Sequence, residues 1–108
     1  MKEAGLMFSA NKNRYATFGV LTRTSGPIVD AIWAIIDQNL QGVFPLQNLL
    51  KFSLKNKDGQ LQVVFSEKDL DGGLAVDLNF DYSTDFPDAV FAYDDGNVQT
   101  VLLESEMD

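Results

Sequence analysis

The chain has no cysteine and no histidine. The first absence removes disulfides, thiolate metal sites and thiol nucleophiles. The second removes the commonest general base and the commonest transition-metal ligand, so Ser–His and Cys–His mechanisms are excluded. Basic residues are scarce: eight Lys and Arg stand against sixteen Asp and Glu, for a net charge of −8. Phosphate contacts need clustered cations, so direct nucleic-acid binding is disfavoured. No apolar run approaches the ~20 residues that span a bilayer, and the opening MKEAGLMFSANKNR has no stretch of signal-peptide length. A cytoplasmic protein of bacterial or phage type is the expectation, with no membrane partner.

What is present supports a packed domain. The 45 % hydrophobic share argues against disorder, and 108 residues suit one domain spanning 1–108. Gly26 to Leu40 reads as an amphipathic helix. Thr24 or Ser25 caps it, Pro27 suits the first turn, and Gly42 with Pro45 ends it. Ile28, Val29, Ile32, Trp33, Ile35, Ile36 and Leu40 form its apolar stripe, wide enough to cover one face of a sheet. Trp33 lies at the margin of that stripe, as a core-edge residue or as an exposed anchor for a partner.

Tyr15 to Leu21 reads as a first strand, with Gly19 marking a bulge or a close approach. Leu49 to Lys55 and Gln60 to Ser66 alternate cleanly around Asn56-Lys57-Asp58-Gly59, which predicts a hairpin. Leu74 to Phe80 alternates best of all, Leu74, Val76, Leu78 and Phe80 against Ala75, Asp77 and Asn79. Ala89 to Tyr93 and Val98 to Leu103 form a closing hairpin around Asp94-Asp95-Gly96-Asn97. Residues 104–108 read as a frayed tail. The links between the later strands are too short for crossover helices. The expected fold is therefore α+β, with one amphipathic helix on one face of a mainly antiparallel five- to six-stranded sheet, in the order β-α-β-β-β-β-β.

Charge divides the chain. Residues 1–57 carry +4, whereas residues 58–108 carry thirteen acids against Lys68 alone. Asp77 and Asp81 are expected on one wet strand face roughly 13 Å apart. With Asp69, Asp71, Asp85 and Asp88 in nearby loops they suggest a row of carboxylates that imitates phosphates. The run Asp69-Leu70-Asp71-Gly72-Gly73 is oxygen-rich, but the EF-hand pattern fails at Gly73, Leu74 and Phe80. No phosphate cradle or paired catalytic carboxylates stand out, and no cofactor is implied.

The blocks Asn13-Arg14-Tyr15-Ala16-Thr17-Phe18-Gly19-Val20, Trp33 with Ile36-Asp37, and Phe91-Ala92-Tyr93-Asp94-Asp95-Gly96 with Thr100-Val101-Leu102-Leu103 and Glu106 carry a resemblance. In order and spacing they are similar to the domain of unknown function 960 family, small uncharacterised proteins of Gram-positive bacteria and their mobile elements. The middle departs from the family pattern, since Val64-Phe65-Ser66-Glu67 lacks its histidine. The resemblance implies an ancestral start at Met7, with residues 1–6 an extension, and carries over no functional residues.

The functional expectation is a non-enzymatic interaction or regulatory protein with a protein partner. One alternative is an acidic nucleic-acid mimic that inhibits a basic nucleic-acid-binding protein. A second is a small carboxylate enzyme or weak cation binder. Self-association through an exposed edge strand or through Trp33 is a further expectation.

Overall fold

A computed structural model describes residues 7–44, 46–66 and 73–107. Six strands form one sheet: β1 (Asn13–Ala16), β2 (Leu49–Lys57), β3 (Gln60–Ser66), β4 (Gly73–Asp81), β5 (Ala89–Asp94) and β6 (Val98–Leu102), in the spatial order β1-β6-β5-β2-β3-β4. Every pairing is antiparallel except β1 with β6, which run parallel, Asn13 beside Val98 and Ala16 beside Val101.

The expected amphipathic helix is α2 (Gly26–Ile35). The Ser25 hydroxyl accepts the Ile28 N–H, and Pro27 stands in the first turn. The helix continues as a single π turn over Ile36–Leu40, where the Gln41 N–H reaches the Ile36 carbonyl at 3.0 Å. A straight α-helix would place Asn39 inside the apolar arc. The wider turn instead leaves Asn39 exposed and buries Leu40 completely. Ile32 and Ile36, 1 % and 0 % exposed, share one buried core with Leu50, Phe52 and Leu54 of β2, Leu61, Val63 and Phe65 of β3, and Val90, Ala92 and Val101. Each such side chain contributes about 1.5–3 kcal/mol by leaving water.

Two expectations change. The predicted strand Tyr15–Leu21 is half strand and half helix. β1 stops at Ala16, and Phe18–Arg23 forms the short helix α1. Thr17 decides this, because its hydroxyl accepts the Val20 N–H at 3.1 Å and caps the turn. The chain therefore reads β-α-α-β-β-β-β-β. The tail predicted to fray is docked instead: Glu104–Glu106 makes a 3-10 turn against β5. The polar opening stretch contributes Phe8, fully buried.

The hairpin between β2 and β3 turns on Asp58 and Gly59, both with positive φ (54° and 89°), and Asn56 accepts the Gly59 N–H at 2.8 Å. That geometry matches the right-handed twist of the strands it joins. No helix among the described residues is long and apolar enough to cross a membrane.

Candidate interaction surface

α2 covers one face of the sheet. The inner face carries the polar cluster that ties the first described residues to the rest. Asp94, 1 % exposed, points inward from the end of β5. Its carboxylate accepts the Phe8 N–H at 2.7 Å and the Gly96 N–H at 2.8 Å, and pairs with Lys12 Nζ at 3.2 Å. Burial pushes the Asp94 carboxyl up. The Phe8 and Gly96 N–H groups and Lys12 outweigh it and hold the group below its ordinary value. Gln99 Nε2 extends the cluster to the Ser9 carbonyl at 2.8 Å, and its Oε1 accepts from Arg14 Nε at 2.8 Å.

Arg14 then grips Asp37 with both terminal nitrogens, at 2.8 and 2.7 Å, and lies 4.8 Å over the Trp33 ring. Trp33 is 8 % exposed. It belongs to the core edge, and the reading of Trp33 as an exposed anchor does not hold. No buried side-chain polar atom among the described residues lacks a partner. This cluster fastens the first described residues to the sheet and to the π turn.

The face opposite α2 is divided. On β1, β6 and β5 the outward residues are Asn13 and Tyr15, then Val98, Thr100 and Leu102, then Ala89, Phe91 and Tyr93. None is charged. On β2, β3 and β4 the outward set includes Lys51, Lys55, Lys57, Asp77 and Asp81. The ladder register places Tyr15 beside Thr100, Thr100 beside Tyr93, and Tyr93 beside Leu49. Four adjacent strands thus present one row in which Tyr15 is 53 %, Tyr93 40 % and Leu49 40 % exposed.

Beside that row lies a groove of about 380 Å³ lined by Leu49, Tyr93, Leu102, Glu106 and Met107. The 3-10 turn, packed beside β5, contributes Glu106 to its wall, and Phe91 on β5 is outward yet 9 % exposed. Glu106 Oε1 secures the turn, accepting the Thr17 hydroxyl and the Leu103 N–H at 2.8 Å each. Gly19 completes the seat, since a Cβ there would stand 2.6 Å from Glu106 Oε2.

Of the acidic residues proposed from sequence, Asp77 and Asp81 share the outward face of β4. Asp69 and Asp71, with the rest of residues 67–72 and the extension at 1–6, lie outside the described residues. Asp77 is exposed but engaged, with Lys57 Nζ at 2.9 Å and Gln62 Nε2 at 3.0 Å. Those bonds, the one from Lys57 first, hold its carboxyl below the ordinary value. Asp81 projects further along β4, and Asp85 and Asp88 are exposed in the loop before β5. Asp95 spends its carboxylate on the Val98 and Asn97 N–H groups, which lower its pKa. Among the described residues no three acidic groups gather as a metal site would require.

A cleft of about 580 Å³ holds Asp88 and Glu104 together with Arg23, Thr84, Phe86 and Leu103. Both carboxylates are exposed. Tyr15, Tyr93 and Leu49 escaped the sequence reading. A signal was there: Ala89–Tyr93 is apolar at both parities, as strands covered on both faces are.

No curated protein matches the chain. A protein of unknown function from Enterococcus faecalis, known from its crystal structure, is 44 % identical with a TM-score of 0.90; the match covers 99 % of this chain and 98 % of that one. Residues 13–106 match the family described as "Staphylococcal protein of unknown function (DUF960)". That span holds Arg14, Trp33, Asp37, Asp94, Gln99 and Glu106, the residues that fasten the two ends of the chain to the sheet, and the chain belongs to this family.

Proposed function

We propose that the protein is a non-enzymatic interaction module that binds a protein partner through the uncharged half of its outer sheet face. The observation that carries this reading is the row Tyr15–Thr100–Tyr93–Leu49, uncharged and partly exposed in a chain that is 22 % charged. Interface centres are depleted in charge and enriched in tyrosine and methionine. Met107 and Leu102 extend the row into the adjoining groove.

An enzymatic reading has less support. A carboxylate acting as general acid needs a desolvated setting, whereas Asp88 and Glu104 stand in water. The nucleic-acid mimic also has less support. Lys51, Lys55 and Lys57 share the outer face with Asp77 and Asp81, and Asp77 is already engaged by Lys57.

The test is capture from a native lysate of a Gram-positive host by the immobilised protein, in parallel with a Tyr15→Ala/Tyr93→Ala variant. The expected result is a captured protein that survives about 0.5 M salt, where charge attraction is screened within a few ångströms, and that the variant loses. Capture that is abolished by salt and indifferent to the two tyrosines would overturn the reading.

A further inference from the structure

β4 ends the sheet. Its nine residues pair with β3 on one side, and no described strand pairs with the other. The opposite edge, β1, is four residues long. Long edge strands expose a row of unpaired N–H and C=O groups that only another extended backbone satisfies. β4 carries neither proline nor lysine, two of the residues that commonly block such an edge.

Its core-side residues point the same way. Leu61, Val63 and Phe65 on β3 are 0–1 % exposed, whereas Leu74, Val76, Leu78 and Phe80 on β4 are only partly covered. A strand added beyond β4 would cover them.

The register selects the occupant. From Gln62↔Asp77 to Ser66↔Gly73 the ladder with β3 is regular. Beyond it, Gln60 pairs with Asp81, so two steps on β3 span four on β4 and the strand bulges. The regular stretch is therefore Gly73–Asp77, and its centre is Ala75.

We propose that two copies of the chain associate through this edge, Gly73–Asp77 of one pairing antiparallel with Gly73–Asp77 of the other about a two-fold axis at Ala75. In that register Ala75 meets Ala75, Leu74 meets Val76, and Gly73 meets Asp77. Within Gly73–Asp77 no like charges stand opposite each other. The two Asp77 side chains lie four residues apart along the strands, roughly 13 Å, and each keeps its own Lys57. An axis at Asp77 would instead oppose two carboxylates. The interface is self-complementary, as a two-fold contact must be, and it leaves the tyrosine row free at the far side of the sheet.

The absence of cysteine makes the register directly testable. Opposed residues of an antiparallel pair have Cα atoms about 4.5–5.5 Å apart, inside the window a disulfide bridges. Under mild oxidation Ala75→Cys should convert to a covalent dimer, while Asn79→Cys, eight residues from its own counterpart in this register, should stay monomeric. Sedimentation of the unmodified protein should show a dimer, and Ala75→Lys, which opposes two ammonium groups, should weaken it about tenfold with an unchanged far-UV spectrum. Because each copy carries −8, raising salt from about 50 to about 500 mM should tighten the association. A protein monomeric at millimolar concentration in high salt, or equal cross-linking at positions 75 and 79, would overturn the proposal.

Discussion

Asp94 and its partners set the energetics at the scale of single residues. The carboxyl lies below its ordinary value in the folded chain, so the unfolded chain binds the proton more tightly. Its contribution to stability is therefore present above the unfolded value near 3.9 and is lost as pH falls through the lower folded value. The expected outcome is a melting temperature that declines more steeply below about pH 4 in the native protein than in Asp94→Asn. Asp94→Ala strands the Phe8 N–H and leaves Lys12 without its counter-charge, and is expected to cost about 3 kcal/mol in urea unfolding. None of this was legible in the sequence. Asp94 reads there as one acid among many in a turn, and Phe8 as an isolated aromatic, because the bond joining them spans 86 positions and has no local pattern.

At the scale of elements, what was legible followed from periodicity. Leu74–Phe80 alternates in the sequence and in the structure, and the stripe from Ile28 to Leu40 is the buried stripe. What escaped was decided by one atom or by distant contact. Tyr15–Leu21 has the composition of a strand, but the Thr17 hydroxyl starts α1, and Glu106 holds that same residue from the other end of the chain. The tail looked free because its seat at Gly19 is far away in sequence. Gly19→Ala should dislodge the Glu106 carboxylate, which is the far end of a flexible side chain, while leaving the sheet intact. The measurable outcome is faster cleavage by a glutamate-specific protease at Glu104 and Glu106, with little change in the unfolding midpoint. Ser25→Ala, which removes the cap of α2, should cost about 1 kcal/mol. The candidate surface was legible only through the doubly apolar parity of Ala89–Tyr93, and its assembly needed the strand order that brings β1 to β6 and β5 to β2.

For the molecule as a whole, the closing pair is β1 with β6, drawn from opposite ends of the chain and parallel. Such pairing must wait for a long loop to close, which slows folding into the millisecond-to-second range. Phe8→Ala should destabilise by about 3–4 kcal/mol and, in stopped-flow measurements, appear chiefly as faster unfolding, since that segment docks after the hairpins form. The charge map has a related consequence. Fixed charges crowd the side of the outer face made by β2, β3 and β4, while β1, β6 and β5 present none outward. The single indole of the chain lies under the Arg14 guanidinium, at the junction where the first strand, the π turn and the closing hairpin meet. Its emission is a built-in optical gauge of that junction: undocking of the first strand would flood the ring with solvent and shift its colour to the red before the helix itself came apart.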